Sequence, residues 1–347
     1  MDSREKIKRI IAGEDADRCG LWLGSPHPDT WAIYFKYFGI DGSAAHTGIS
    51  SPAEEALRLR LKDDLRWICP QWSCYRHPHG KPLWDNRHDS ARGLASIGVF
   101  AECEDPAEVE KIAWPSLDYY DFGPAVQALK NSGPYYRAGG MWCCFFHDLA
   151  DFFGMENYFV KMYTDPEVVD AVTRRVCEFY LAANERFFEQ AGPELDGFFF
   201  GNDFGTQLDL FLSPELFDRF ILPWVRKFAD QAHAHGYQVL AHSCGSVVRV
   251  IDRLIAAGIQ GLHPLQAKAA HMDAGTLAER FRGRIAFIGG VDTQHLLVHG
   301  TPAEVREEVF RIRKLLGPRL IISPSHEAIL PNVPPENIEA MAQAVFE

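Results

Sequence analysis

Short apolar runs alternate along the chain with longer segments that carry helix signals. Eight of these runs are predicted to be strands, at residues 20–23, 65–69, 134–140, 196–200, 237–241, 259–262, 285–288 and 320–322. Short buried strands that alternate with helices are typical of a parallel sheet. Eight such units predict an α/β fold closed into a (β/α)8 TIM barrel, with the active site at the carboxyl ends of the strands. An open dinucleotide-binding sheet is disfavoured because no G-x-G-x-x-G motif follows the first strand.

Several helix starts are marked by a proline placed directly after Ser, Asp or Thr. This pattern predicts helices that begin near residues 51, 105, 165, 213 and 301, because the polar residue caps the helix and proline suits its first turn. Helices are also expected at residues 121–130 and 247–257. Residues 71–100 show no clear period and are interpreted as an irregular insertion. We therefore expect residues 1–347 to form a single barrel domain that carries this insertion.

The composition favours small-molecule chemistry in the cytoplasm. The 347 residues are 47% hydrophobic and carry a formal net charge of -12. Clusters of Lys and Arg, which bind nucleic acids and anionic membranes, are not found, so no nucleic-acid partner is expected. No apolar stretch reaches about 18 residues, so no membrane span is predicted. The eight cysteines are scattered without the spacing of a disulfide framework, which predicts reduced thiols and a cytoplasmic location.

The stretch His242-Ser243-Cys244 follows the fifth predicted strand. Side chains two residues apart on a strand leave on the same face, so the imidazole and the thiol are expected to converge. Nitrogen and sulfur are zinc ligands, and three protein ligands leave a fourth position open for chemistry. His326, which follows the last predicted strand, is the candidate third ligand. The alternatives are a core cysteine beside a hydrogen-bonded histidine, and a His326 that binds substrate without metal.

Other polar side chains follow other predicted strands and would lie around the same mouth of the barrel. Asp203 is a candidate general acid or base, or a cap for the following loop. Asp292 follows a glycine pair that lets substrate approach the backbone, and it is either a substrate contact or a helix cap. The predicted substrate-binding residues are Asn202, Gln207, His263, Gln266, Asp292 and Gln294. The candidates for an apolar wall, or for a cage around an aromatic or quaternary-ammonium group, are Trp31, Trp72, Trp84, Trp142 and Phe204. The alternative is that most of these aromatic residues belong to the core.

Four stretches together resemble the uroporphyrinogen decarboxylase superfamily, and within it the branch of cobalamin-dependent methyltransferases. They are residues 200–207 (FGNDFGTQ), 242–247 (HSCGSV), 289–294 (GGVDTQ), and 324–326 (PSH) with 331–338 (PNVPPENI), in family order. The resemblance extends from about residue 64 onward and implies a (β/α)8 barrel. In the methyltransferase branch, His-x-Cys and a later cysteine bind zinc. Here His242 and Cys244 match that motif, and His326 stands near the place of the later cysteine.

The resemblance implies a zinc-dependent methyltransferase. Such an enzyme moves a methyl group between a small methylated substrate or cofactor and a corrinoid (cobalamin) carried by a separate corrinoid-binding protein, with Asp203 or Glu327 handling protons. The family also makes a homodimer a possible assembly.

Two other functions are alternatives. The first is a metal-free decarboxylase that uses Asp203 and His326. In the true decarboxylases a Met-Arg-Gln-Ala-Gly-Arg segment holds porphyrinogen carboxylates, whereas residues 23–28 here read LGSPHP, which disfavours a polycarboxylate tetrapyrrole as substrate. The second is a corrinoid- or tetrapyrrole-binding module without turnover.

Overall fold

The computed structural model describes residues 1–45, 48–84, 97–326 and 328–347. It contains one sheet of eight parallel strands, and each strand overlaps one of the predicted apolar runs. The strands are β1 (Gly20–Leu21), β2 (Leu65–Ile68), β3 (Tyr136–Gly139), β4 (Gly197–Gly201), β5 (Gln238–His242), β6 (Gly261–His263), β7 (Ala286–Val291) and β8 (Leu320–Pro324).

A helix precedes β1, and one or more helices follow every strand. They are α1 (Ser3–Ala12), α2 (Pro28–Phe38), α3 (Pro52–Leu61), α4 (Pro70–Ser73), α5 (Gly123–Asn131), α6 (Phe145–Phe153), α7 (Met155–Thr164), α8 (Pro166–Ala191), α9 (Pro214–Leu216), α10 (Leu222–Ala234), α11 (Ile251–Ala256), α12 (Ala274–Phe281), α13 (Leu296–His299), α14 (Pro302–Leu316) and α15 (Pro335–Ala344). A π-helical turn, Phe217–Ile221, joins α9 to α10.

The hydrogen-bonded strand order is β1-β8-β7-β6-β5-β4-β3-β2. β1 and β2 are linked by hydrogen bonds to the two residues that precede β2. The Asp64 backbone N–H donates to the Leu21 carbonyl at 2.9 Å, and the Asp64 carboxylate accepts the Leu21 N–H at 2.9 Å. The Asp63 carboxylate accepts the Leu23 N–H at 3.2 Å. These bonds complete the ring and confirm the predicted (β/α)8 TIM barrel.

Helix α1 lies across the amino-terminal ends of the strands. Its residues Ile7 and Ile10 are fully buried and pack with Trp22 and Phe199 inside the barrel. The Gln238 side chain, at the start of β5, donates to the Lys8 carbonyl at 2.9 Å. Because α1 covers this end of the barrel, the carboxyl ends of the strands form its open mouth.

Two predicted helices differ from those observed. The helix expected near residue 105 is a 3-10 helix, Pro106–Lys111, and it ends because Ile112 takes an extended backbone conformation. The helix expected at residues 247–257 begins only at Ile251. The residues before it belong to a loop in which the Ser246 N–H donates to the Thr206 carbonyl at 2.7 Å.

Three other expectations concern the cysteines, membrane spans and the insertion. All eight cysteines are free thiols. The helices of the described residues include none with the length and the apolar character of a membrane span. Residues 85–96 of the predicted insertion at 71–100 lie outside the described residues, and α4 occupies its beginning.

Candidate metal centre and aromatic cavity

The ends of two adjacent strands bring three potential metal ligands together. His242 is the last residue of β5, Cys244 follows it by two positions, and Asp203 follows the end of β4 by two positions. The ladder pairs Gly201 with His242. One residue further on, the Asn202 N–H donates to the His242 carbonyl at 3.0 Å. This register places the β4 and β5 loops side by side.

The Asp203 carboxylate, the His242 imidazole and the Cys244 thiol each offer one ligand atom, and these atoms all lie within 4.8 Å of one another. We call these three residues the metal group. His242 Nε2 lies 3.1 Å from Asp203 Oδ1 and 3.4 Å from Cys244 Sγ. Zinc bond lengths in a tetrahedral shell place neighbouring ligand atoms roughly 3.4–3.6 Å apart. The nitrogen–oxygen and nitrogen–sulfur distances are close to this spacing, and the oxygen–sulfur distance is no more than 4.8 Å. The three side chains therefore form a candidate site for a zinc-type ion.

The surroundings of Asp203 favour its ionised form. The Cys244 backbone N–H donates to its Oδ1 at 3.0 Å, and His147 Nε2, on α6, lies 3.7 Å from its Oδ2. Burial alone raises the pKa of this carboxyl, but the hydrogen bond from His242, the charges of His242 and His147 and the Cys244 amide outweigh burial and lower that pKa. A metal ligand needs this anionic form.

His263, the last residue of β6, supports His242 from the neighbouring strand. The two residues are partners in the ladder, and their Nδ1 atoms lie 2.9 Å apart. Burial, and then the nearby His242 and His326, hold the pKa of His263 well below its ordinary value, so its ring is neutral. One N–H···N bond between the rings fixes the orientation of His242, as outer hydrogen bonds do for metal-bound histidines.

The predicted amide contacts shape the loops around this centre. Asn202 Oδ1 accepts the Phe146 N–H at 2.9 Å, and its Nδ2 donates to the Cys143 carbonyl at 2.9 Å. Gln266 Oε1 accepts hydrogen bonds from Gln207 Nε2 at 2.8 Å and from the Gly245 N–H at 3.0 Å. Direct contact of these amides with substrate stays a prediction.

The remaining predicted residues lie further along the mouth. Asp292 accepts the N–H groups of Gln294 at 2.9 Å and Leu296 at 3.2 Å, so it holds the turn that leads into α13, whose N-cap residue is His295. Gln294 and His326 line a cavity of about 400 Å³ together with Gln266. Among the described residues, His326 is not one of the residues whose ligand atoms lie within 4.8 Å of one another. Its role as a metal ligand therefore stays a prediction. Glu327 lies outside the described residues.

A second cavity, of about 340 Å³, opens in the barrel mouth beside the metal group. We name it the aromatic cavity, and its large aromatic lining residues are Trp22, Trp31, Trp67, Trp72, Trp142 and Phe199. His263 also lines it, and the Trp142 ring lies 5.3 Å from the His242 ring. The cavity thus adjoins the metal group through two residues that contact His242.

The predicted aromatic wall is partly assembled in this cavity. Trp31, Trp72 and Trp142 line it, whereas Trp84 packs against Tyr180 with ring centroids 5.5 Å apart and Phe204 packs against Phe217 at 5.1 Å. The sequence pattern did not predict His147, Trp22 or Trp67 as site residues. For the two tryptophans, the signal present in the sequence was their place within predicted strands, whose inward faces meet in a barrel.

Comparisons with known proteins agree with this architecture. The sequence profile of the family described as uroporphyrinogen decarboxylase (URO-D) matches residues 150–347. A solved structure of a methyltransferase from Methanosarcina mazei is similar, with a TM-score of 0.69 and 17% identity over 100% of this chain and 98% of that one. Among curated proteins no match is found. At this identity the structural likeness shows the fold. The profile match, which spans more than half of the chain and includes His242, Cys244 and His326, shows that the chain belongs to the URO-D family.

Proposed function

We propose that this protein is a zinc-dependent methyltransferase that moves a methyl group between a small methylated substrate and a corrinoid carried by a partner protein. The observation that supports it best is the group of Asp203, His242 and Cys244, whose three ligand atoms lie within 4.8 Å of one another. A nitrogen, sulfur and oxygen donor set suits zinc, and three protein ligands are typical of a catalytic rather than a structural site.

Each residue has a distinct part in this proposal. Asp203, His242 and Cys244 would hold the ion, and His263 would keep the His242 ring in place through the contact between their Nδ1 atoms at 2.9 Å. Bound zinc would supply a Lewis acid beside the heteroatom that carries the methyl group, and it would stabilise the negative charge that forms there as the methyl group leaves. His147, half-exposed and 3.7 Å from Asp203, is placed to pass protons between the site and solvent. Glu327 stays a predicted proton carrier.

The corrinoid partner is the finer part of the proposal. Support comes from the family, from the resemblance of the His-x-Cys motif to the cobalamin-dependent branch, and from a fold shared with a methyltransferase. The open mouth at the carboxyl ends of the strands is the surface on which a corrinoid protein would present its cobalt. A homodimer and a cytoplasmic location belong to the same proposal.

Metal analysis of the purified protein tests the centre. We expect stoichiometric zinc in the wild type and its loss in His242→Ala, Cys244→Ser and Asp203→Ala. The matched controls are His299→Ala and Cys103→Ser, because both residues lie outside the metal group, and they should keep their zinc. Wild-type protein that is free of zinc after gentle purification, and that does not take it up on dialysis, would refute the zinc role.

A decarboxylase is the second candidate, favoured by the family match to uroporphyrinogen decarboxylase. Among the described residues that line the aromatic cavity, Arg58 is the only Lys or Arg, and it pairs with Asp63 at 2.6 Å. Several acidic groups on one substrate would therefore find little compensating charge there. Release of carbon dioxide from a carboxylated tetrapyrrole, unchanged in His242→Ala, would support this alternative over methyl transfer.

A further inference from the structure

Four nitrogen atoms that belong to lining residues of the aromatic cavity lack hydrogen-bond partners among the described residues. They are Trp22 Nε1, Arg58 Nε, Trp67 Nε1 and His263 Nε2. Trp22 is 1% exposed and His263 is 0% exposed, so bulk water does not satisfy them. Buried polar atoms in folded proteins nearly always have a partner. Four exceptions around one cavity point to a ligand that supplies the missing hydrogen-bond partners.

The chemistry of these atoms restricts the ligand. An indole N–H is a donor only, so Trp22 and Trp67 require an acceptor. His263 Nδ1 is already engaged with His242 at 2.9 Å, and its Nε2 donates or accepts according to the tautomer. A quaternary ammonium group offers no acceptor and meets the positive ends of two N–H dipoles. An oxygen acceptor on the ligand would supply the kind of partner that the two indoles and Arg58 Nε lack.

The walls of the cavity favour a flat ring. Trp67 meets Trp142 edge to face at 5.1 Å, and Trp22 meets Phe199 in the same way at 5.5 Å. An aromatic ring extends such a set with the offset or edge-to-face contacts that these side chains prefer. A volume of about 340 Å³ is near the lower end of the range typical of ligand cavities, about 300–1,000 Å³, and suits one ring with small substituents.

The charges that line the cavity are compensated within the protein. The Arg58 charge is paired with Asp63 at 2.6 Å, and a second nitrogen donates to the Gly24 carbonyl at 2.8 Å. Its Nε has no partner among the described residues and, like the indoles, needs an acceptor. Glu54 accepts the backbone N–H of Ser51 in the capping box that begins α3. A neutral ligand with an oxygen acceptor therefore fits better than a cation or a polyanion.

We propose that the aromatic cavity binds the methyl donor, and that this donor is an aromatic methyl ether with one ring, whose oxygen accepts hydrogen bonds from Trp22 and Trp67. This inference rests on the proposed methyl transfer and names its substrate class. Because His263 and Trp142 line the cavity and also contact His242, a bound ether lies next to the metal group.

The reaction requires a reduced corrinoid, which accepts the methyl group. The bond between the methyl carbon and the ether oxygen breaks, and its electron pair stays on the oxygen. The resulting phenolate takes one proton and leaves as a phenol. The methyl carbon bonds to the cobalt of a cobalt(I) corrinoid, which supplies the electron pair and becomes methylcobalt(III).

Binding without turnover tests the cavity. Titration calorimetry on the wild-type protein would compare methoxybenzene with ethylbenzene, which has a similar size but no oxygen, and with tetramethylammonium. We expect methoxybenzene to bind roughly three- to tenfold more tightly than ethylbenzene, because a neutral hydrogen bond typically changes the affinity by about that factor. Tetramethylammonium should show no binding.

Two variants connect that preference to the indole N–H groups. Trp67→Phe and Trp22→Phe keep a ring but lose the donor, so each should reduce the preference for methoxybenzene. Trp224→Phe is the control, because Trp224 does not line the cavity and packs against Lys227. Circular dichroism checks folding, and if the fully buried Trp22 does not tolerate the change, Trp67→Phe decides.

Equal affinity of the wild type for methoxybenzene and ethylbenzene would overturn the inference, as would tighter binding of tetramethylammonium. The proposed function fails separately. If the wild type contains zinc but shows no preference for the ether, the substrate class alone is wrong. If it binds the ether with the expected variant effects but takes up no zinc, the cavity assignment holds and the zinc mechanism is wrong.

Discussion

Asp148 is a buried carboxyl group whose titration should make the stability of the fold depend on pH. It lies on α6 and is 7% exposed. The Tyr180 hydroxyl donates to its Oδ2 at 2.7 Å, and the Cys144 thiol lies 3.7 Å from its Oδ1. Burial raises the pKa of Asp148 to about 7, and the bond from Tyr180 opposes that rise only in part. The folded chain therefore holds a proton here at a pH where the unfolded chain has lost it.

The sign of the effect follows from proton binding. Between the ordinary pKa of 3.8 and a pKa of about 7, the folded state binds more protons than the unfolded state, so the free energy of unfolding falls as the pH rises. At about 1.4 kcal/mol per pKa unit, the loss reaches about 4 kcal/mol above pH 7. About half of it falls between pH 5.5 and pH 8.5.

Urea unfolding of the wild type and of Asp148→Asn at these two pH values measures this loss. Asparagine keeps an acceptor for Tyr180 but does not ionise. The wild type should lose about 2 kcal/mol more stability than the variant between pH 5.5 and pH 8.5. Asp118→Asn is the control, because Asp118 is exposed and pairs with Arg186 at the surface, and it should follow the wild type. Identical pH profiles for wild type and Asp148→Asn would show that the buried carboxyl is not protonated in the folded chain.

Three further predictions concern the framework of the mouth. Asn202→Ala leaves the Phe146 N–H without its acceptor and should lower the free energy of unfolding by about 1–3 kcal/mol. An unchanged urea midpoint would show that the Asn202 hydrogen bonds do not contribute to stability. Gly245→Ala places a Cβ 2.1 Å from the Gly205 carbonyl oxygen at φ +80°, so bound zinc should decrease. The control is Gly283→Ala, at φ +77° with nothing within 4 Å, and equal zinc loss in both would argue against a local effect. Asp63→Asn removes the partner of a buried arginine at the join of β1 and β2 and should cost about 3 kcal/mol, measured as a lower melting temperature.

Local patterns were enough to predict the barrel. Buried parallel strands need apolar side chains on both faces, whichever strand they pair with, so all eight runs could be read without knowing the fold. The same applies to His242 and Cys244, because two residues separated by one position at a strand end leave on the same side. Helix lengths were less predictable. Pro106–Lys111 has the start signal of a helix, and Val109, Ile112 and Ala113 continue with helical spacing, yet the backbone becomes extended at Ile112.

The third member of the candidate metal group could not be predicted in this way. Asp203 and His326 each follow a strand, and either is a suitable zinc ligand by chemistry. The register that pairs Gly201 with His242 brings Asp203 to His242, whereas His326 lines the cavity shared with Gln266 and Gln294. Register is a property of the assembled sheet, and a single strand does not contain it.

The sequence by itself therefore determined the alternation of strands and helices, the polar residues at each strand end and the pair His242 and Cys244, because these depend on spacing within one segment. The tertiary structure decided which of those polar residues meet. It placed Asp203 and His263 against His242, and it gathered Trp22, Trp67 and Trp142 from different strand ends into one cavity. Barrel closure produces both results, because it makes neighbours of residues whose separation along the chain carries no local signal.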